Sequence, residues 1–128
     1  MRALLSLLVI ASCSAPQPSG DGSIAGTWTG TVTQQGDTYG LVFSISDVAP
    51  GEEAGKAAYD GSDFECVGTL TFVGEQDGLW TYSEQVDDQE ACVDGTITAS
   101  LLADGTLQWR WYENRAGSPD ATATLDRR

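Results

Sequence analysis

The sequence predicts an all-β domain of eight antiparallel strands in up-and-down order, closed into a barrel. Three observations carry this. Eight short runs alternate apolar residues with Thr, Ser or charged ones, the two-residue period of a strand with one buried face. Turn residues separate the runs at hairpin-length intervals, with Asp-Gly pairs at Asp77-Gly78 and Asp104-Gly105. No run has a helical period and no fixed-period repeat is visible. Eight strands in a meander can bond first to last and so lose their exposed edges. A two-sheet β-sandwich is the competing architecture.

The runs follow in order. Residues 27–33 set Trp28, Gly30 and Val32 on one face and threonines on the other. After the turn Gln35-Gly36-Asp37, residues 39–46 put Tyr39, Leu41, Phe43 and Ile45 on the apolar face. Residues 47–55 read as a loop with room for one helical turn. A short third strand, 56–59, leads to the acidic turn Asp60-Gly61-Ser62-Asp63. In 64–73, Cys66, Gly68, Leu70 and Phe72 are in phase; in 79–86, Trp80, Tyr82, Glu84 and Val86 are. The acidic loop Asp87-Asp88-Gln89-Glu90 precedes the sixth run, 92–101. Residues 106–112 align Leu107, Trp109 and Trp111. After a loop at 113–119, residues 121–127 turn Ala121, Ala123 and Leu125 inward.

A chain of 128 residues with 41% hydrophobic content supports one domain with a modest core. The net charge of -13 argues against a nucleic-acid partner, which needs a basic footprint. It argues equally against electrostatic docking on anionic lipid. The chain has no histidine, so the commonest general base and metal ligand is missing.

The N-terminus carries an address. Met1-Arg2 is followed by an apolar run from Ala3 to Ile10, broken only by Ser6. That is too short to span a bilayer, which takes roughly 20 residues, and has the size of a signal-peptide core. It ends in Ile10-Ala11-Ser12-Cys13, which resembles the bacterial lipobox. The resemblance implies a signal peptide over 1–12, a covalent lipid on the Cys13 thiol and cleavage before that cysteine. Two or more acyl chains hold a protein on a membrane where one does not. An ordinary secreted protein cut after Cys13-Ser14-Ala15 is the alternative. The Pro/Gly/Ser-rich stretch 13–23 reads as a tether and 24–128 as the folded domain. The expected location is extracytoplasmic, on the cell membrane or outer membrane. Ser14 after the cysteine resembles outer-membrane sorting.

Gly26-x-Trp28 on the first strand resembles the Gly-x-Trp signature of lipocalins and related calycin barrels. In that superfamily a basic residue near the end of the last strand packs across the tryptophan, and Arg127 stands at the matching position. The segments 26–33, Cys66-x-Gly68-x-Leu70, Cys92-Val93-Asp94-Gly95 and Ala123-Thr124-Leu125 are also similar to small extracytoplasmic modules of bacterial lipoproteins. Such modules also occur in some receptor-type serine/threonine kinases of bacteria. The resemblance implies barrel closure through Trp28 and Arg127 and carries no catalytic residues.

Three cysteines leave one odd thiol in an oxidising compartment. A lipid on Cys13 resolves this and leaves Cys66 and Cys92 to pair. The bond closes about 27 residues, worth on the order of 3.5 kcal/mol by chain entropy. A thiolate nucleophile would lack a histidine partner. The bond would gather two acidic loops. Asp60, Asp63, Asp87 and Asp88 are then weak candidates for a calcium site, although no run matches an EF-hand, and the bland reading is a pair of solvated loops.

Glu84 shares the apolar face of Trp80 and Tyr82, where a carboxylate must be paired, protonated or turned to a ligand. A hydrogen bond to a tyrosine hydroxyl or an arginine inside the barrel is one reading; a ligand contact is the other. The aromatic set is first of all core. If one end is open, Trp80, Tyr82, Trp109 and Trp111 are the candidates to face a ligand with Glu84. The expected function is a non-enzymatic envelope lipoprotein carrying a small apolar ligand or meeting an envelope protein. A filled barrel acting through its acidic surface is the alternative. A hydrolase, the least expected, would need a second carboxylate converging in a cleft.

Overall fold

A computed structural model describes residues 23–128. Eight strands form in the expected order: β1 (Gly26–Gln34), β2 (Asp37–Ile45), β3 (Glu53–Asp60), β4 (Glu65–Gln76), β5 (Leu79–Val86), β6 (Gly95–Leu101), β7 (Leu107–Tyr112) and β8 (Ala121–Arg127). Each pairs antiparallel with the next, and β8 returns to β1, so the sheet is a closed barrel without a free edge. The closing register sets Trp28 opposite Arg127 and Val32 opposite Ala123. The sandwich is excluded by this last pairing. The expected signal peptide, Cys13 and most of the expected tether, residues 1–22, lie outside the described residues.

Local chemistry explains the turns. Gln34 pairs with Asp37 and Gln76 with Leu79, so β1–β2 and β4–β5 are joined by two residues each. Both central residues have positive φ, 52° and 89° at Gln35-Gly36 and 55° and 81° at Asp77-Gly78. That is the twist-matched hairpin turn, and it explains the glycine in each second position.

Three expected boundaries move by three residues. β4 ends at Gln76 instead of 73, running on past a bulge between Phe72 and Gly74. β3 starts at Glu53 instead of 56, because a bulge lies between Glu53 and Gly55. Ala54 and Ala57 are both buried although three residues apart, so the two-residue alternation is interrupted at the bulge. β6 starts at Gly95 instead of 92. Cys92 bonds to Cys66 on β4, and β5 stands between β4 and β6. Cys92 reaches across only from the loop over the end of β5.

The two ends of the barrel differ. The end holding the start of β1 and the finish of β8 is filled. Trp28 is fully buried there, its indole donates to the Ile24 carbonyl at 2.9 Å, and the Arg127 guanidinium lies 4.3 Å from its ring centroid. Arg127 also donates to the carbonyl of Ala25 at 2.7 Å. Phe43, Leu70, Ile97, Leu107 and Leu125 complete this core. Among the described residues no helix is long and apolar enough to cross a membrane.

Candidate functional site

The opposite end opens. A cavity of about 370 Å³ lies within the turns that join β1 to β2, β3 to β4 and β5 to β6. Its wall is built strand by strand. Period-two alternation turns Tyr39 of β2, Tyr59 of β3, Glu84 and Val86 of β5, and Trp109 and Trp111 of β7 into the barrel. Phe64, in the β3–β4 turn, packs edge-on to Tyr39 with ring centroids 5.2 Å apart. Tyr39 and Tyr59 meet at 6.0 Å and Tyr59 and Trp109 at 6.2 Å, both also edge-to-face. Gln34, Gln35 and Asp37 form one side of the mouth, and Gln89 to Val93 the other.

The disulfide holds that second side in place. Asp88 shapes the loop, its carboxylate accepting from the backbone N–H of Glu90 and Ala91. Asp94 ties the loop to the end of β5, accepting from the N–H of Val86 and the amide of Gln89 at 2.8 Å each. Those two donors hold the Asp94 carboxyl below the usual range.

Glu84 lies at the heart of the site, 2% exposed. Its Oε2 accepts from the Tyr59 hydroxyl at 2.5 Å and its Oε1 from the Trp111 indole at 2.9 Å. Burial pushes its carboxyl from 4.5 up to about 7; the two donors pull the other way without cancelling it. Burial together with the Glu84 charge raises the Tyr59 phenol well above its ordinary range and Tyr39 to about 12. Room for the carboxylate comes from two inward glycines. A Cβ on Gly68 would overlap the Glu84 carboxylate, and one on Gly95 would overlap the Trp111 indole. The Trp109 indole N–H is buried and has no acceptor among the described residues. A buried donor left in that state costs stability.

Of the residues expected to face a ligand, Glu84, Trp109 and Trp111 line the cavity. Trp80 and Tyr82 do not. Tyr82 packs on Phe43 and Phe72 toward the filled end, and Trp80 is half-buried against the margin of the core. They lie further back along β5, and a barrel filled at one end gives consecutive inward positions different surroundings. Sequence reading missed Tyr59 and Phe64. Tyr59 was legible from its two-residue phase with Ala57; Phe64 is a turn residue, placed only by tertiary packing.

The calcium candidates have local roles or none. Asp87 accepts from the Val67 N–H at 3.0 Å, and Asp88 caps its own loop. Among the described residues no three metal-binding side chains converge, so Asp60, Asp63, Asp87 and Asp88 form no cluster.

Comparison with protein-family models, with curated proteins and with solved structures finds no match for this chain. The functional reading therefore rests on the geometry of the site.

Proposed function

We propose that this chain is a lipid-anchored envelope protein of calycin-like type, and that its barrel carries a small ligand at its open end. The cavity is the observation that carries the reading: about 370 Å³, walled by aromatic rings and holding a buried carboxylate. Ligand sites are concave and combine apolar and aromatic walls with placed polar groups; here the rings lie behind a polar mouth of Gln34, Gln35, Asp37, Gln89 and Glu90. The same observation favours carriage over a filled barrel acting only through its surface. The lipobox-like Ile10-Ala11-Ser12-Cys13 supports the anchor, and the disulfide is in keeping with an oxidising compartment. Catalysis has less support. The cavity's other carboxylates, Asp37 and Glu90, are exposed at the mouth, whereas Glu84 is buried behind them.

Native mass spectrometry of the protein purified from its own host tests carriage. A retained small molecule is expected, and a clean mass with nothing bound sinks the reading. The anchor has its own test: Cys13→Ala should release the protein from membranes, and a variant that stays bound refutes the lipidation.

A further inference from the structure

The cavity has a definite electrostatic character. Each Glu84 oxygen accepts one hydrogen bond, from Tyr59 or Trp111, whereas a carboxylate offers about four acceptor sites in all. Acceptor capacity remains on a group that lines the cavity. Its charge is not matched from within: among the described residues the one ion pair is Lys56 with Glu53. No lysine or arginine lines the cavity, and the two further ionisable carboxyls on its wall, Asp37 and Glu90, are acidic residues at the mouth.

Behind the mouth the wall is made of rings, Tyr39, Tyr59, Phe64, Trp109 and Trp111. Tyr39 meets Tyr59 and Phe64 edge-to-face, as Tyr59 does Trp109, and none of them carries a positive charge to offset Glu84. An anionic ligand would set like charge against Glu84. A neutral hydrocarbon would leave that carboxylate buried with part of its capacity unused. A cavity of about 370 Å³ is at the small end for ligand sites, too small for a long lipid chain.

We infer that the cavity binds a small organic cation, a primary ammonium on a compact apolar body, with the charged nitrogen on Glu84 and the body against the rings. This rests on the ligand-carrier reading and names the class of its ligand. The ammonium supplies the missing positive partner and donates to the open acceptor sites of the carboxylate. The rings supply apolar contact for its body.

Affinity then depends on pH. An alkylammonium keeps its proton to about pH 10. Glu84 gains full charge only above about 7. Around it, Tyr59 from β3 and Tyr39 from β2 stay neutral, Trp109 and Trp111 from β7 do not titrate, Gly68 of β4 and Gly95 of β6 bring no charge, and Asp94 in the loop is held ionised. Asp37 and Glu90 complete the set at the mouth. Amine affinity therefore rises between pH 5.5 and 8.

The test titrates the full chain with 2-phenylethylammonium, 2-phenylethanol and 3-phenylpropionate, followed by tryptophan emission and calorimetry at pH 8 and 5.5. The amine should bind about tenfold or more tighter than the alcohol at pH 8, as a charge-assisted hydrogen bond implies. The preference should shrink at pH 5.5. Glu84→Gln, checked for folding by near-UV circular dichroism, should lose the preference while still binding the alcohol. If that variant does not fold, the wild-type comparison decides alone. Equal binding of amine and alcohol, or tighter binding of the carboxylate, overturns the cation while leaving carriage standing. No binding of any probe overturns the cation as well, and an empty mass for host-purified protein then removes carriage with it.

Discussion

Burying a carboxylate among aromatic rings costs free energy, and Glu84 shows how the chain limits that cost. Two neutral donors and two inward glycines accommodate it, yet its proton is still held to about pH 7. The sign of the consequence is definite. Between about 4.5 and 7 the folded chain keeps a proton that the unfolded chain has released, so this group's contribution to stability falls as pH rises through that window and is level above it. Glu84→Gln does not titrate there. In urea unfolding, wild type should lose roughly 3 kcal/mol relative to Glu84→Gln between pH 4.5 and 8. A pH-independent difference would mean that Glu84 is not buried as described. At the filled end, Arg127→Ala removes a guanidinium stacked on Trp28 and its bond to the Ala25 carbonyl. A loss of about 1–2 kcal/mol is expected on thermal or chemical unfolding, against about 3–5 for Trp28→Ala. The Trp28–Arg127 partnership was readable from a Gly-x-Trp on the first strand and a basic residue closing the last. The partners of Glu84 were not, because Tyr59, Glu84 and Trp111 come from three strands whose heights in the barrel depend on a stagger no single strand encodes.

Strands carry two further dependencies. Gly68 on β4 and Glu84 on β5 occupy one volume, so their substitutions should not add. Gly68→Ala should destabilise by about 1–3 kcal/mol in chemical unfolding, and most of that should disappear when it is combined with Glu84→Ala. Additive losses would show that the glycine serves something else. The disulfide links β4 to the loop that follows β5, and thereby one side of the cavity mouth to the barrel. The double variant Cys66→Ala/Cys92→Ala should lose about 2–5 kcal/mol of stability. Hydrogen exchange in the variant should quicken first at residues 87–94, where few backbone amides are tied into the sheet. β5 and β8 were legible to the residue, since both are uninterrupted alternations ended by turn residues or charge. β3 was not, because the bulge at Gly55 hides half of it, and Cys92 was not, because its place is decided by a partner two strands away.

For the molecule as a whole, closure is the property with a consequence everywhere. With β1 bonded to both β2 and β8, no strand is an edge, so amides in the β1–β8 seam, at Thr29 and Thr33, should exchange only through global unfolding. Fast exchange there under native conditions would point to an open sheet. The net charge of -13 surrounds a cavity that is itself negative, and a cationic ligand would be drawn to that mouth faster at low ionic strength than at high. The amino-acid sequence by itself determined the all-β class, the strand count, the meander order and the Cys66–Cys92 pair. Each of these is a local pattern or a count: alternation of two, glycine where φ is positive, two cysteines within the strand-bearing segment. Tertiary structure alone decided that one end of the barrel is packed and the other hollow. It also decided which of the inward aromatic residues share the hollow with Glu84. Alternation says only that a side chain points inward; how far along the barrel axis it sits, and what meets it there, follows from register and stagger summed over eight strands.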